Sequence, residues 1–371
     1  MRPESFAGTT GILVATTIGA GIFALPYLFA QAGWLTGLGW LVALGALLFF
    51  AHWLYARAAA ASAGEDHLTA LARRTLGSWG AGMSFVAVYG GLLLSLVVYI
   101  ILSVNFVKLF APAFGSDVAM IVFWLAGSLP LFARMRFLGT AAALGTAVMG
   151  ALIVGLWLCA PAPGATLEFP AFIPGSVFVP FGAVLFALAG WTAIPAMMEY
   201  GGSTRRPARR LIGPLAVGTV AVVILYALFV FAVLGSGWPL TPDTISGIPS
   251  ASPRVALAVG ILGLFALWTS YVPIAVELRD SFAEAFGGNR AVPNIAVLAL
   301  PMILVGLGLN DFLSVIGLAG GVFLSLQYAL IMAVSRKVLR LRGLARFATD
   351  VITLAFIAAA VYELYRFLFP T

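Results

Sequence analysis

Apolar residues run along this chain in stretches of about 20, each long enough to cross a bilayer as one helix, and the charged residues gather in the short loops between them. The pattern predicts eleven helices, at 7–31, 34–56, 81–107, 117–133, 137–160, 176–198, 211–235, 254–276, 292–309, 311–335 and 349–369. Two of these stretches carry the same interruption. Gly21-Ile22-Phe23-Ala24-Leu25-Pro26 in the first returns as Gly190-Trp191-Thr192-Ala193-Ile194-Pro195 in the sixth. Each interrupted stretch opens a set of five helices, and because five is odd the second set enters the membrane from the opposite side. The chain therefore reads as a single all-α polytopic membrane unit: repeat one at 7–160, an inverted repeat two at 176–335, and one extra C-terminal helix at 349–369. The loop 57–80, with Glu65, Asp66, His67 and Leu71-Ala72-Arg73-Arg74, has room for an amphipathic helix. The Pro- and Ser-rich stretch 238–253 is expected to cover the external face.

Glycine and proline oppose a continuous helix, and an unwound backbone inside a bilayer is tolerated only where protein or a water-filled cavity satisfies its amides and carbonyls. Paired breaks at corresponding places in two halves point to a substrate site between inverted repeats, the architecture of a transporter. Composition supports a membrane protein: 62% of residues are hydrophobic, 9% are charged and the mean hydropathy is +1.09, against about 25% charged in a soluble domain. The first apolar stretch exceeds the roughly 7–15 residues of a signal-peptide core and lacks a fitting small-residue cleavage site. The single Cys159 excludes a disulfide framework or cysteine metal cluster and reads as an inert apolar helix residue.

A net charge of +7 would suit nucleic acid, but its distribution follows the loops instead. Arg2; Arg57, Arg73 and Arg74; Arg134 and Arg136; Arg205, Arg206, Arg209 and Arg210; Arg279 and Arg290; and Arg336, Lys337, Arg340, Arg342 and Arg346 fall on one side, 17 of the 20 positive residues. Lys108, Arg254 and Arg366 fall on the other. The positive-inside rule then places the chain in an inner or plasma membrane, N-terminus cytoplasmic and C-terminus external, with the lipid bilayer and no nucleic acid as its surroundings.

Unwinding of the first helix at 18–21 would leave backbone amides at the start of its outer half, where a helix N-terminus attracts negative charge. An amino acid carboxylate fits there: Gly19 and Gly21 permit close approach, and Thr16 or Thr17 adds a hydroxyl. The same glycines also suit tight helix packing. A side-chain pocket would draw on Ala20, Ile22, Tyr89, Phe186, Trp191 and Gly320, with Gly190 opening the second break. In the eighth helix the adjacent hydroxyls of Thr269 and Ser270 and the carbonyl of Ala266 offer three oxygens to a hard cation, and the carbonyls of Ala15 and Ile18 would make five. Alternatively, both hydroxyls bond back to their own helix. His52 is the one membrane-embedded histidine and a natural proton carrier, or a structural side chain. Glu199 and Glu277 fall near helix ends, where solvation or an ion pair competes with a substrate role. No nucleophile and base pair or metal-ligand spacing suggests an enzyme.

The run Thr16-Thr17-Ile18-Gly19-Ala20-Gly21-Ile22-Phe23-Ala24-Leu25-Pro26, with Phe186-Ala187-Leu188-Ala189-Gly190-Trp191-Thr192-Ala193-Ile194-Pro195, resembles the amino acid/polyamine/organocation superfamily with the leucine-transporter fold. Thr269-Ser270-Tyr271, Leu278-Arg279-Asp280-Ser281-Phe282 and Ile316-Gly317-Leu318-Ala319-Gly320-Gly321 are most similar to bacterial tryptophan/tyrosine permeases and the amino acid/auxin permeases. The resemblance implies that carbonyls at Phe186 and Ala189 hold the substrate ammonium, and that helices 1, 2, 6 and 7 rock against 3, 4, 8 and 9. A Thr-Ser pair binds sodium in sodium-coupled relatives, whereas the tryptophan/tyrosine branch is usually proton-coupled. Some cation-independent or proton-coupled relatives place a lysine from helix 5 at the ion site, and this chain has lysine only at 108 and 337.

The resulting expectation is a secondary transporter that imports a neutral, hydrophobic or aromatic, amino acid with a cation, sodium ahead of proton, and no other cofactor. Another small substrate (a polyamine or nucleobase) or uncoupled exchange are the same-fold alternatives, and a polyamine would want an acidic pocket that is not evident. A membrane enzyme or a sensor is the alternative of another class, and would need clustered polar residues at one face or an effector domain.

Overall fold

The computed structural model describes residues 3–62, 67–132, 138–159, 168–200, 207–247, 253–286 and 291–369, and every regular element among them is helical. Arg2, Glu65, Asp66, Arg134, Arg136, Arg205, Arg206, Arg290 and the 248–252 part of the expected external cover lie outside the described residues. The helices are α1 (Pro3–Thr17), α2 (Leu25–Ala32), α3 (Trp34–Ala61), α4 (Leu68–Ser84), α5 (Gly90–Phe110), α6 (Ser116–Ser128), α7 (Leu138–Cys159), α8 (Phe181–Leu188), α9 (Ala193–Tyr200), α10 (Pro207–Leu234), α11 (Pro253–Phe286), α12 (Ala291–Gly306), α13 (Phe312–Gly317), α14 (Ser325–Val338) and α15 (Gly343–Leu368).

Helix lies along each of the predicted stretches. Among the described residues, seven helices are long and apolar enough to cross a membrane, and α1 with α2, bent by 50°, makes an eighth where the bent pair counts as one span. Three further apolar helices, Ser116–Leu131, Ala147–Leu158 and Val292–Gly306, are shorter. The helix expected within 57–80 is α4, but it is not separate from the next span. It turns at Gly77, where φ is +69°, and runs through a π-helical turn at Phe85–Tyr89 into α5.

Both breaks fall at the Gly/Pro elements. After α1, Gly19 takes φ −135° and ψ −147°, a 3-10 turn follows at Ala20–Ala24, and α2 starts with Pro26 in its first turn, where proline's missing N–H costs nothing. After α8, Ala189 is extended (φ −69°, ψ 112°) and α9 begins at Ala193. A second π-helical stretch, Leu318–Leu324, joins α13 to α14. α10 packs on α1 and α3, α5 packs on α11, α12 and α13, and α15 lies along α14. The two breaks sit between these groups, with Ile18, Ala20, Phe23 and Ala24 fully buried.

Two irregular stretches fasten helix ends. The first amides of α3 donate to 168–177: Trp34 to the Pro170 carbonyl at 3.2 Å and Leu35 to that of Ala171 at 3.1 Å. On the other side, Thr244 (φ +61°) donates its hydroxyl to the Phe23 carbonyl at 2.6 Å. Asp243 beside it accepts from Asn105, from Thr241 at 2.7 Å and from the Ser246 hydroxyl at 2.7 Å. Beneath this stretch Phe23 packs edge-on against Phe106 (4.9 Å) and Phe229 (5.6 Å).

Candidate functional site

The two breaks touch. A Cβ on Gly21 would stand 2.5 Å from the Cα of Ala187, so only glycine lets the unwound segment of α1–α2 lie against the end of α8. Unwinding leaves amides and carbonyls without helical partners, and of three buried tyrosines on the surrounding helices one bonds two of these carbonyls.

Tyr226 of α10 holds its hydroxyl 2.8 Å from the carbonyls of both Thr17 and Ala187, sharing one proton between the last turns of α1 and α8. The Tyr99 hydroxyl of α5 lies over Gly19. The Tyr328 hydroxyl of α14 stands 2.8 Å from His52 Nε2. A buried group left unpaired costs about 1–3 kcal/mol, so the Tyr226 hydroxyl helps make both breaks tenable. A fourth scaffold group fixes the second break from the side: the Trp191 indole donates to Gln327 Oε1 at 2.6 Å, and the Gln327 amide donates to the Ala87 carbonyl at 2.8 Å.

Ser270 of α11 meets the end of α1. Its Oγ lies 3.3, 3.1 and 3.1 Å from the carbonyls of Ala15, Thr16 and Ile18. Thr269 turns the other way and bonds its own helix, to Phe265 at 2.9 Å and Ala266 at 3.2 Å. The five oxygens named from sequence therefore divide into a converging set (Ala15, Ile18, Ser270) and a self-paired set (Thr269, Ala266), with the Thr16 carbonyl added.

The other sequence candidates fall as follows. Gly19 faces Tyr99 and Ser270: a Cβ there would lie 2.5 Å from the Tyr99 oxygen and 2.8 Å from Ser270 Oγ. The Thr17 hydroxyl bonds back to Leu13 at 2.7 Å. Ile22, Phe186 and Trp191 are buried around the breaks, with the Phe186 ring 6.3 Å from that of Tyr99. The Phe186 carbonyl takes the Ala189 amide at 3.3 Å, so it is engaged in the turn. A Cβ on Gly190 would press on Thr17 Oγ1 at 2.5 Å, and one on Gly320 would run into the Gly182 carbonyl. Both are close-packing positions. Tyr89 stands apart from the breaks, its hydroxyl on the Ser281 carbonyl at 2.8 Å and its ring 4.8 Å from that of Phe282. Glu277 is buried and bonds His67 Nδ1 at 3.2 Å, tying the start of α4 to α11, while Glu199 is exposed. Among the described residues no three His, Cys, Asp or Glu side chains group as metal ligands.

Tyr99, Tyr226, Tyr328 and Gln327 did not emerge from the sequence. Gln327-Tyr328 carried a usable signal, because an amide in the middle of an apolar helix is costly unless partnered.

Comparison with known proteins adds three findings. The family model described as transmembrane amino acid transporter protein matches residues 2–245. Glutamine transporter 2 of Aliivibrio fischeri is 23% identical over 348 residues, covering 89% of this chain and 89% of that protein. The crystal structure of MhsT in complex with L-phenylalanine aligns with a TM-score of 0.67 and 19% identity, over 97% of this chain and 98% of that one, a likeness of fold.

Proposed function

Since the chain belongs to the transmembrane amino acid transporter family, within the amino acid/polyamine/organocation superfamily, we propose that it imports a neutral amino acid by alternating access, coupled to a cation. It is a multi-pass membrane protein. The observation that carries the reading is the contact of two interrupted helices at Gly21 and Ala187, with their unpaired backbone groups held by hydroxyls that a substrate can replace.

The substrate carboxylate binds the Gly19 and Ala20 amides beside the Tyr99 hydroxyl, and the ammonium binds carbonyls of the second break, at Phe186 and Ala189. Rings of Tyr99, Phe186 and Trp191 suit a hydrophobic or aromatic side chain, and L-phenylalanine and L-glutamine are the first two ligands to try. Sodium is the coupling ion we favour over the proton. The carbonyls of Ala15 and Ile18 and the Ser270 hydroxyl would hold it, with Thr269 and Ala266 joining once their mutual bond opens. The ion would supply positive charge next to the carboxylate site.

A thermal-shift series of the purified protein against the twenty amino acids and a set of polyamines, in sodium and then in potassium, tests this reading. A true ligand at 100 times its Kd stabilises by about 2.7 kcal/mol. A neutral amino acid is expected to raise the melting temperature more in sodium, and stabilisation by polyamines alone would overturn the proposal.

We also take the three short apolar helices as crossings, which gives eleven in all, a 5+5 inverted repeat plus α15, and a cytoplasmic N-terminus. In a Cys159→Ala background, Gly237→Cys is then expected to react with an impermeant maleimide from outside intact cells, and Arg206→Cys only after the membrane is opened. The opposite labelling reverses the topology.

A further inference from the structure

Gln327 of α14 is wholly buried among apolar helices, and its amide joins two irregular places in the backbone. Its Oε1 accepts the Trp191 indole N–H of the second break at 2.6 Å, and its Nε2 donates to the Ala87 carbonyl at 2.8 Å, in the π-helical turn that leads into α5. The chemistry fixes which end of the amide faces which partner. An indole only donates and a carbonyl only accepts, so a carboxamide is a neutral group that serves both at once. Two glycines make its seat: a Cβ on Gly91 would collide with Nε2, and one on Gly90 with the Phe323 ring. An amide at this depth in a membrane protein is costly unless partnered, and such groups mark functional places.

The ring that Gln327 holds stands where an amino acid has to enter. Ile18, Ala20, Ile22 and Trp191 are almost wholly buried, Gly21 lies against Ala187, and the Tyr55 ring meets that of Trp191 edge-on at 6.1 Å. The cavity beside the breaks that Leu13, Thr17, His52 and Leu188 line is about 10 Å³, at the lower limit for one water. Packing this close must open before a side chain is taken up between Tyr99, Phe186 and Trp191. Of these rings, Trp191 is the one tied down by a directed bond to another side chain of the scaffold.

We propose that Gln327 is a latch that holds the second break closed, and that the Trp191–Gln327 bond parts when the amino acid binds. The inference rests on the reading of the breaks as the substrate site, but not on the ion site at Ser270. α8 packs on α3, and α9 on α1, α3 and α10; Gln327 adds a tie from the break between them to α5. A released Trp191 turns its N–H to water or ligand, while Gln327 keeps its bond to Ala87 and stays in its seat. Such a latch opposes binding, because part of the ligand's interaction goes into opening it, so a protein without it binds the amino acid more tightly. A residue that only supported the bound form would give the opposite sign.

Gln327→Leu leaves the indole N–H of the closed form without an acceptor and so favours the open one. The net worth of one hydrogen bond corresponds to about 2- to 10-fold in an equilibrium. Equilibrium binding of L-phenylalanine and L-glutamine to the full-length protein is expected to tighten by that factor in Gln327→Leu, and to change no further when Gln327→Leu is added to Trp191→Phe, which has no N–H to latch. Gln327→Met takes its place if the leucine variant does not fold. Hydrogen–deuterium exchange of a peptide spanning 186–194, at constant pH and without ligand, reads the same opening. It is expected to quicken by the same factor in Gln327→Leu with α12 unchanged, whereas general destabilisation would quicken both. Weaker binding in Gln327→Leu, unchanged exchange at 186–194, or an equal effect in the Trp191→Phe background overturns the latch. Faster exchange confined to 186–194, with no amino acid bound by wild type or variant, supports the latch and counts against the transport reading alone.

Discussion

A Gly21→Ala protein is expected to reach the membrane yet take up no amino acid. One added carbon would stand 2.5 Å from the Ala187 Cα, 2.7 Å from its Cβ and 2.9 Å from its amide nitrogen, and two of those three atoms are backbone that no rotamer change moves aside. Overpacking of this kind costs about 1–3 kcal/mol. The loss falls where the Thr17 and Ala187 carbonyls must both reach Tyr226, so the two breaks separate and the amides at 19 and 20 lose their register. Gly39→Ala is the matched control, because a Cβ there meets nothing within 4 Å. Thermal unfolding of both variants, with uptake in vesicles, checks the expectation, and full uptake by Gly21→Ala would show that the close contact of the breaks is dispensable.

The breaks themselves were legible because glycine and proline act locally. Gly19, Gly21 and Pro26, and their counterparts Gly190 and Pro195, combine glycine with a following proline, which opposes helix more than the single prolines Pro214, Pro273 and Pro301 that lie inside continuous helices. What caps the breaks was not, since it depends on how deep each scaffold helix sits. Tyr89 and Tyr99 share one apolar helical run, ten residues or roughly 15 Å apart, and no local pattern says which of them meets Gly19. A π-helical turn at Phe85–Tyr89 also shifts the faces of that run, and it has no sequence mark. Thr269 and Ser270 show the same division. Adjacency on a helix forces two side chains about 100° apart, so only one of them can face α1, and the choice is made by the crossing of α11 over α1 rather than by the pair. Gly320 was assigned to a ligand pocket on the same local reasoning, and in the structure its missing side chain makes room for the Gly182 carbonyl.

Ser270→Ala is expected to remove the dependence of amino acid affinity on sodium, while Thr269→Ala weakens it less. The asymmetry follows from where each hydroxyl points. Ser270 Oγ stands within 3.3 Å of three carbonyls at the end of α1, and no other hydroxyl of α11 is shown there. Thr269 already spends its proton on Phe265 and Ala266, and a hydroxyl so paired joins an ion only after giving up that bond. Sodium and amino acid should each raise the affinity of the other by the same factor, about 5- to 150-fold for a coupling of 1–3 kcal/mol. Measured by equilibrium binding in sodium and in potassium, Ser270→Ala should bring that factor to one without unfolding the protein, because alanine at this position leaves the carbonyls able to bond water. Coupling unchanged in Ser270→Ala would remove the ion from this place. Uptake that follows an imposed pH gradient and is indifferent to exchanging sodium for potassium would transfer the coupling role to the proton, with His52, Glu199 and Glu277 the side chains to test next.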